Sequence, residues 1–259
     1  MGVLNVNEDS FFSGSRFNVS EDALRKTEQM IQDGADFIDL GASSSRPGAE
    51  ISEAGEEWNR LYPFLKGIRK AFPDVWISVD TYHASTAAQA IKEGADLIND
   101  ISAGRIDKNM LPWIVECNIP YVLMHMKGVP SNMQANPEYQ NAPAEVLFEM
   151  AQQLKDLRRK GLANVIIDPG FGFGKSLLHN YQILNHLDEF VGLSAPILCG
   201  VSRKSMVTRL LEIKPEAALN ATTALHMLLL QKGANILRVH DVKEAAECIK
   251  IHEYYRQAN

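Results

Sequence analysis

The sequence predicts a single (β/α)8 barrel, and three observations carry that expectation. Short apolar, β-branched runs alternate with amphipathic helical stretches eight times along 259 residues. Those runs are apolar almost throughout, which requires a parallel sheet covered on both faces. No linker or compositional shift divides the chain, and a barrel of this length counts as one domain, so residues 1–259 are taken as one unit. A doubly wound sheet usually uses fewer strands.

Gly2-Val3-Leu4-Asn5-Val6 reads as the first strand, and a polar loop runs from it through Ser15. Leu24, Met30 and Ile31 mark the apolar face of a helix over 21–34, which Gly34 stops. Strand two is Phe37 to Leu40. A loop of small residues, 41–48, carries Arg46-Pro47 before a helix over about 53–69. Strand three is 75–79 with its helix at 85–94, and strand four is 97–100 with a short helix near 108–117. The second half repeats the rhythm. Strands are expected at 121–125, 165–167, 197–201 and 236–239, with helices at about 143–160, 177–187, 216–231 and 242–255.

The bulk numbers exclude several classes. Hydrophobic residues make up 46% of the chain, enough for one large core, yet no apolar run reaches membrane-spanning length. A net charge of -6 without a basic stripe speaks against nucleic acid as a partner. Cys117, Cys199 and Cys248 lie far apart, with no C-x-x-C spacing and no secretory h-region. That usage fits a reducing cytoplasm. The histidines show no HExxH or other metal-ligand spacing, so a zinc site is not expected.

Chemistry concentrates at Asp168-Pro169-Gly170-Phe171-Gly172-Phe173-Gly174-Lys175, which follows the strand Val165-Ile166-Ile167. Glycine lets backbone approach closely at one position, and phenylalanine offers a ring face at the next. The loop is not a Walker A motif, because Pro169 stands where that pattern needs its first glycine. It is not the dinucleotide fingerprint either, since the glycines fall at two-residue steps. An ordinary turn explains the glycines but not Asp168, Phe173 and Lys175 together.

In such a barrel the site lies at the C-terminal ends of the strands. This sequence places Asn5, Asp39, Asp80, Asn99-Asp100, His125, Asp168, Ser202-Arg203-Lys204 and Arg238-Val239-His240 there. Asp80, Asn99 and Asp168 offer acceptors, with amide donors from Asn99, suited to the edge of a guanine-like heterocycle. Arg46, Arg203, Lys204, Arg238 and His240 supply donors for phosphate or carboxylate. Arg238 interrupts an apolar strand, where an unpaired charge would cost several kcal/mol. Others have plainer roles: Asp39 and Asp100 orient loops, His125 is a satisfied core histidine, Asp241 caps the last helix, and Lys175 is solvated surface charge.

These stretches, with Asp9-Ser10-Phe11, Arg46-Pro47-Gly48-Ala49, Val79-Asp80-Thr81 and Leu123-Met124-His125-Met126, resemble dihydropteroate synthase along essentially the whole chain. The resemblance implies condensation of a dihydropterin bearing a CH2-diphosphate with 4-aminobenzoate, through SN1-like loss of diphosphate. It implies catalytic roles for Asp80, Asp168, Lys204 and Arg46. Asp80, Asn99, Met124, Asp168, Phe173 and Lys204 would hold the pterin. Asn5, Ser45, Arg46, Arg238 and His240 would bind diphosphate, with Asn5 on Mg2+. Ser45, Arg46, Pro47, Phe173 and Ser202 would form the aminobenzoate site. A homodimer, inhibition by sulfonamides and an absent or trimmed N-terminal extension are further expectations. Two loops depart from the family pattern. Asn7-Glu8 and Phe12-Ser13 replace Thr-Pro and Ser-Asp, and Ala42-Ser43-Ser44-Ser45 replaces Gly-Glu-Ser-Thr. A methyl-folate-binding methyltransferase is the alternative enzyme, although such barrels do not need the Ser202-Arg203-Lys204 and Arg238-Val239-His240 anion sites. A pterin-binding protein without catalysis is the other alternative.

Overall fold

The structure is a computed structural model that describes residues 1–6, 16–42, 52–128, 133 and 137–258, with backbone only for 16–20. The strands are β1 (Gly2–Asn5), β2 (Phe37–Gly41), β3 (Trp76–Asp80), β4 (Leu97–Asp100), β5 (Tyr121–Met124), β6 (Val165–Asp168), β7 (Leu198–Cys199) and β8 (Ile236–Leu237). β1 to β6 pair in chain order as one parallel sheet, and β7 pairs with β8. Two parallel bridges close the ring. Ile167 N donates to Pro196 O at 2.9 Å between β6 and β7. Val3 N donates to Val239 O at 2.9 Å, and Val239 N to Met1 O at 3.0 Å, between β8 and β1. The predicted eight-stranded barrel is therefore complete.

The apolar strands bury two different layers. Outward-facing Leu4, Ile38, Leu40, Ile77, Val79, Ile98, Leu123, Ile167 and Leu237 join the helices in the main core. The inward positions form a separate cluster of Met1, Leu97, Val122 and Leu198, with Phe37, Ile166 and Ile236 packed against it. Period-two alternation sends successive side chains to opposite faces, so both layers come from the same runs. Above the inward apolar layer the interior turns polar, at Asp39, Ser78, Asn99, Asp168 and Arg238.

The surrounding helices are α1 (Arg16–Gln32), α2 (Ala54–Ala71), α3 (Ala84–Lys92), α4 (Met110–Cys117), α5 (Ala142–Arg159), α6 (Leu177–Asn185), α7 (Ser205–Leu211), α8 (Leu219–Gln231) and α9 (Val242–Gln257). A capping box starts α6: Ser176 Oγ accepts from His179 N at 3.1 Å, and His179 Nδ1 accepts from Ser176 N at 3.2 Å. That cap ends the glycine-rich loop at Lys175. Helix α7, which the periodicity does not predict, leaves β7 directly. A 3-10 turn over 215–217 then delays the next helix to Leu219. Asp241 stands at the N-cap of α9 as expected and its carbonyl accepts from Ala245 N at 3.2 Å, but its side chain makes no capping bond; the carboxylate accepts instead from Arg203 Nε and Nη2 at 2.9 and 2.6 Å. No helix among the described residues is long and apolar enough to cross a membrane.

Candidate active site

The sheet register sets the strand-end residues side by side. Asn5 is level with Gly41, Gly41 with Asp80, and Asp80 with Asn99. A β-carbon on Gly41 would lie 3.3 Å from Asp80 Cβ and 3.8 Å from Asn5 Oδ1, so glycine there leaves a notch between the two side chains. On the next strands Met124 is level with Asp168. Asn5, Asp80, Asn99, Met124 and Asp168 thus open onto one mouth.

Arg238 lies at the centre of the interior polar layer. Its Nε donates to Asp39 Oδ2 at 2.6 Å and its Nη2 to Asp80 Oδ2 at 2.8 Å. Asn99 Nδ2 adds a 3.2 Å bond to the same Asp39 oxygen. Burial works against the Arg238 charge, but Asp39 and Asp80 together outweigh it and hold the guanidinium above its ordinary value. Burial pushes the Asp80 carboxyl up to about 7, and Arg238 pulls against that rise. Asp39 is accordingly an interior partner of Arg238, fully buried, where the sequence suggested a loop-orienting role. Asp100 does orient a loop. It accepts from Ser102 N and Oγ at 2.7 Å each, from Gly104 N at 2.7 Å and from Tyr121 Oη at 2.8 Å.

Lys204 stands across Gly200 from Arg238. A β-carbon on that glycine would lie 3.6 Å from Lys204 Nζ and 3.7 Å from Arg238 Cβ. Lys204 Nζ donates to Phe171 O at 2.8 Å and sits 4.6 Å from the centre of the Phe173 ring, a cation–π contact. Burial lowers the ammonium to about 8, with Asp168 the strongest opposing charge. Burial likewise raises Asp168, opposed first by Lys204. Asp168 Oδ1 accepts from Gly170 N at 2.8 Å. Met124 and Phe173 belong to a small apolar cluster with Tyr82, Ile101, Met126 and Met133, separate from the main core. That cluster gives the mouth an apolar wall beside a charged rim.

Ser202 and His240 meet at the ends of β7 and β8. Ser202 Oγ lies 3.1 Å from His240 Nδ1 and accepts from His240 N at 3.2 Å. Burial, then the nearby Arg238, lower the His240 imidazole to about 4. Arg203 faces away, tied to Asp241. Ser45, Arg46 and Pro47 lie outside the described residues, as do Asn7-Glu8 and Phe12-Ser13. Lys175, expected on the surface, is buried. His125 Nδ1 does have a partner, the Lys175 ammonium at 3.0 Å.

Taken residue by residue, the mouth defines a class: a (β/α)8 enzyme with carboxylates and an amide for a heterocycle edge, an aromatic wall, and cations beside them. Residues 1–240 match the family of pterin binding enzymes. Dihydropteroate synthase of Escherichia coli strain K12 is 41% identical over 255 residues, covering 98% of this chain and 90% of that protein. Its Haemophilus influenzae counterpart is 40% identical over 253 residues, 97% and 91% of the two chains. Among solved structures, Yersinia pestis dihydropteroate synthase in a sulfonamide drug complex superposes with a TM-score of 0.92. It is 39% identical and covers 99% of this chain and 93% of that one. The Xanthomonas albilineans enzyme in complex with 7,8-dihydropteroate gives 0.87 at 31% identity, with coverage of 98% and 92%. The chain belongs to the pterin-binding enzyme family, alongside the dihydropteroate synthases it matches.

Proposed function

We infer that the protein is a dihydropteroate synthase, joining (7,8-dihydropterin-6-yl)methyl diphosphate to 4-aminobenzoate with release of diphosphate, a step of folate biosynthesis. The observation that carries this reading is Lys204 over the Phe173 ring, with Asp168 the strongest charge opposing its burial and Asp80 and Asn99 level on neighbouring strand ends. Asp168 and Asn99 suit the pterin edge, and Met124 and Phe173 suit its faces. Asp80 and Asp168 favour positive charge spreading over the ring as diphosphate departs, while Lys204, Arg238 and His240 supply donors beside them. No covalent nucleophile is required. Arg46, Ser45, Pro47 and Ser202 complete the aminobenzoate and diphosphate contacts in this scheme.

Mg2+ is compatible with the donors present. No group of three His, Cys, Asp or Glu suited to a metal occurs among the described residues. Mg2+ usually keeps several waters and takes substrate phosphate oxygens, so one neutral protein oxygen, Asn5 Oδ1 beside the Gly41 notch, fits that habit. When bound, the ion would neutralise charge building on diphosphate. A cytoplasmic homodimer is the expected setting. Sedimentation would test self-association.

The decisive experiment mixes the protein, Mg2+, pterin diphosphate and labelled 4-aminobenzoate. Labelled dihydropteroate is expected. Pterin binding without product would leave only a non-catalytic pterin-binding protein.

A further inference from the structure

Lys175 closes the glycine–phenylalanine loop immediately before α6, and only 2% of it is exposed. Its Nζ donates to Gly170 O and Phe173 O at 2.9 Å each, and lies 3.3 Å from His125 O and 3.0 Å from His125 Nδ1. An ammonium has three hydrogens, so these four acceptors take all of its donor capacity. None remains for a substrate phosphate, which separates Lys175 from a phosphate-binding lysine.

The His125 side supports the same geometry. With Nδ1 accepting, the ring proton belongs on Nε2, and Glu149 Oε2 stands 3.3 Å from that atom. Burial lowers His125 to about 4 and keeps the ring neutral. Burial also lowers Lys175 to about 7, against the pull of Asp168. Four acceptors around one nitrogen nonetheless favour the ammonium form.

The loop needs such an anchor. Gly170, Gly172 and Gly174 take φ of 71°, 84° and 63°, so the backbone reverses repeatedly. A β-carbon on Gly170 would sit 1.9 Å from His125 O, which leaves room there only for a bare backbone. Without a central donor, the buried carbonyls of His125 and Phe173 would lose their Lys175 bonds and Gly170 O would keep only its 3.1 Å bond from Phe173 N, an arrangement that disfavours this loop shape. Between the two anchored loop carbonyls lie the features that touch Lys204: the Phe171 carbonyl and the Phe173 ring.

We propose that Lys175 is a positioning residue: by gathering the carbonyls of His125, Gly170 and Phe173, it sets the Phe171 carbonyl and Phe173 ring that aim Lys204 at the pterin. This rests on the pterin-transfer reading above and adds to it a residue that never meets substrate.

The test uses Lys175→Met, which keeps length and removes every donor. With folding verified by circular dichroism and a cooperative melt, kcat is expected to fall about a hundredfold, the scale of a small misplacement at the reacting centre. Calorimetry with the diphosphate-free pterin alcohol should show about tenfold weaker binding. In a Lys204→Ala background the same substitution should weaken pterin binding no further, because its effect runs through Lys204. A merely structural role would add in both backgrounds. Lys175→Gln, which restores amide donors, should recover part of the loss. Should Lys175→Met fail to fold, His125→Phe removes one acceptor and keeps the carbonyls. It should weaken pterin binding about threefold in the native background and not at all beside Lys204→Ala. Binding within twofold of the unmodified protein, or equal losses in both backgrounds, would overturn the proposal. Failure of the unmodified protein to make dihydropteroate would instead refute the reaction, and the pterin-binding comparison would still judge Lys175.

Discussion

Replacing Arg238 with methionine removes a charge that two interior carboxylates share while keeping most of the side-chain volume. Asp39 is fully buried and Asp80 partly so, and the guanidinium binds both at 2.6 and 2.8 Å. Removing one partner of a buried ion pair costs roughly 3–5 kcal/mol, because the remaining charge keeps its desolvation penalty. The cost must depend on pH. Asp80 is already raised to about 7 by burial, and in the variant it loses the charge that pulls it down. A carboxyl whose folded pKa lies above its unfolded value contributes least at low pH to instability, and stability falls as pH rises through the folded pKa. Urea unfolding of Arg238→Met should therefore show a penalty of several kcal/mol at pH 8 that shrinks clearly by pH 5.5. Adding Asp39→Asn, which removes one of the stranded charges, should restore part of it. A penalty below about 1 kcal/mol, or one unchanged between the two pH values, would refute the view of Arg238 as the neutralising centre of the barrel interior.

Three further outcomes follow from the same geometry. His226 on α8 is buried with neither ring nitrogen hydrogen-bonded among the described residues, and burial lowers it to about 4. Its folded pKa lies below the unfolded value, so stability is whole above about pH 6.5 and drains away towards pH 4. His226→Phe should flatten that acid slope in urea titrations, and an unchanged slope would contradict it. Gly170→Ala should lower stability by at least the roughly 1–3 kcal/mol of left-handed strain, with the His125 carbonyl clash in addition; calorimetric melting at the native temperature would contradict this. Lys204→Ala should abolish turnover and weaken pterin binding, and native turnover would remove Lys204 from the chemistry.

The barrel was legible because each strand is buried on both faces, so Val, Ile and Leu run continuously and the eightfold rhythm stands out. That same continuity hides which side chains face inward. Asp39 therefore reads as a loop residue, although it shares the interior layer with Arg238, whose charge inside an apolar strand demands a buried partner and was the available signal. Helix α7 escaped periodicity because it buries only Met206 and Val207, while Leu210 and Leu211 are 52% and 49% exposed. Lys175 was misread for a different reason. Its partners are chiefly backbone carbonyls, brought together by glycines at positive φ, and no side-chain pattern records them. Asp80, Asn99, Asp168, Lys204 and Arg238 were readable as a set, since polar residues at successive strand ends have one place to converge.

A crystal structure with the diphosphate-free pterin alcohol tests the central claim most directly. The ring should stack in the mouth against Met124 and Phe173, with its nitrogens and carbonyl within about 3.2 Å of Asp168, Asn99 and Lys204. A pterin bound elsewhere, or one in the mouth without contact to Asp168 and Lys204, would contradict the account.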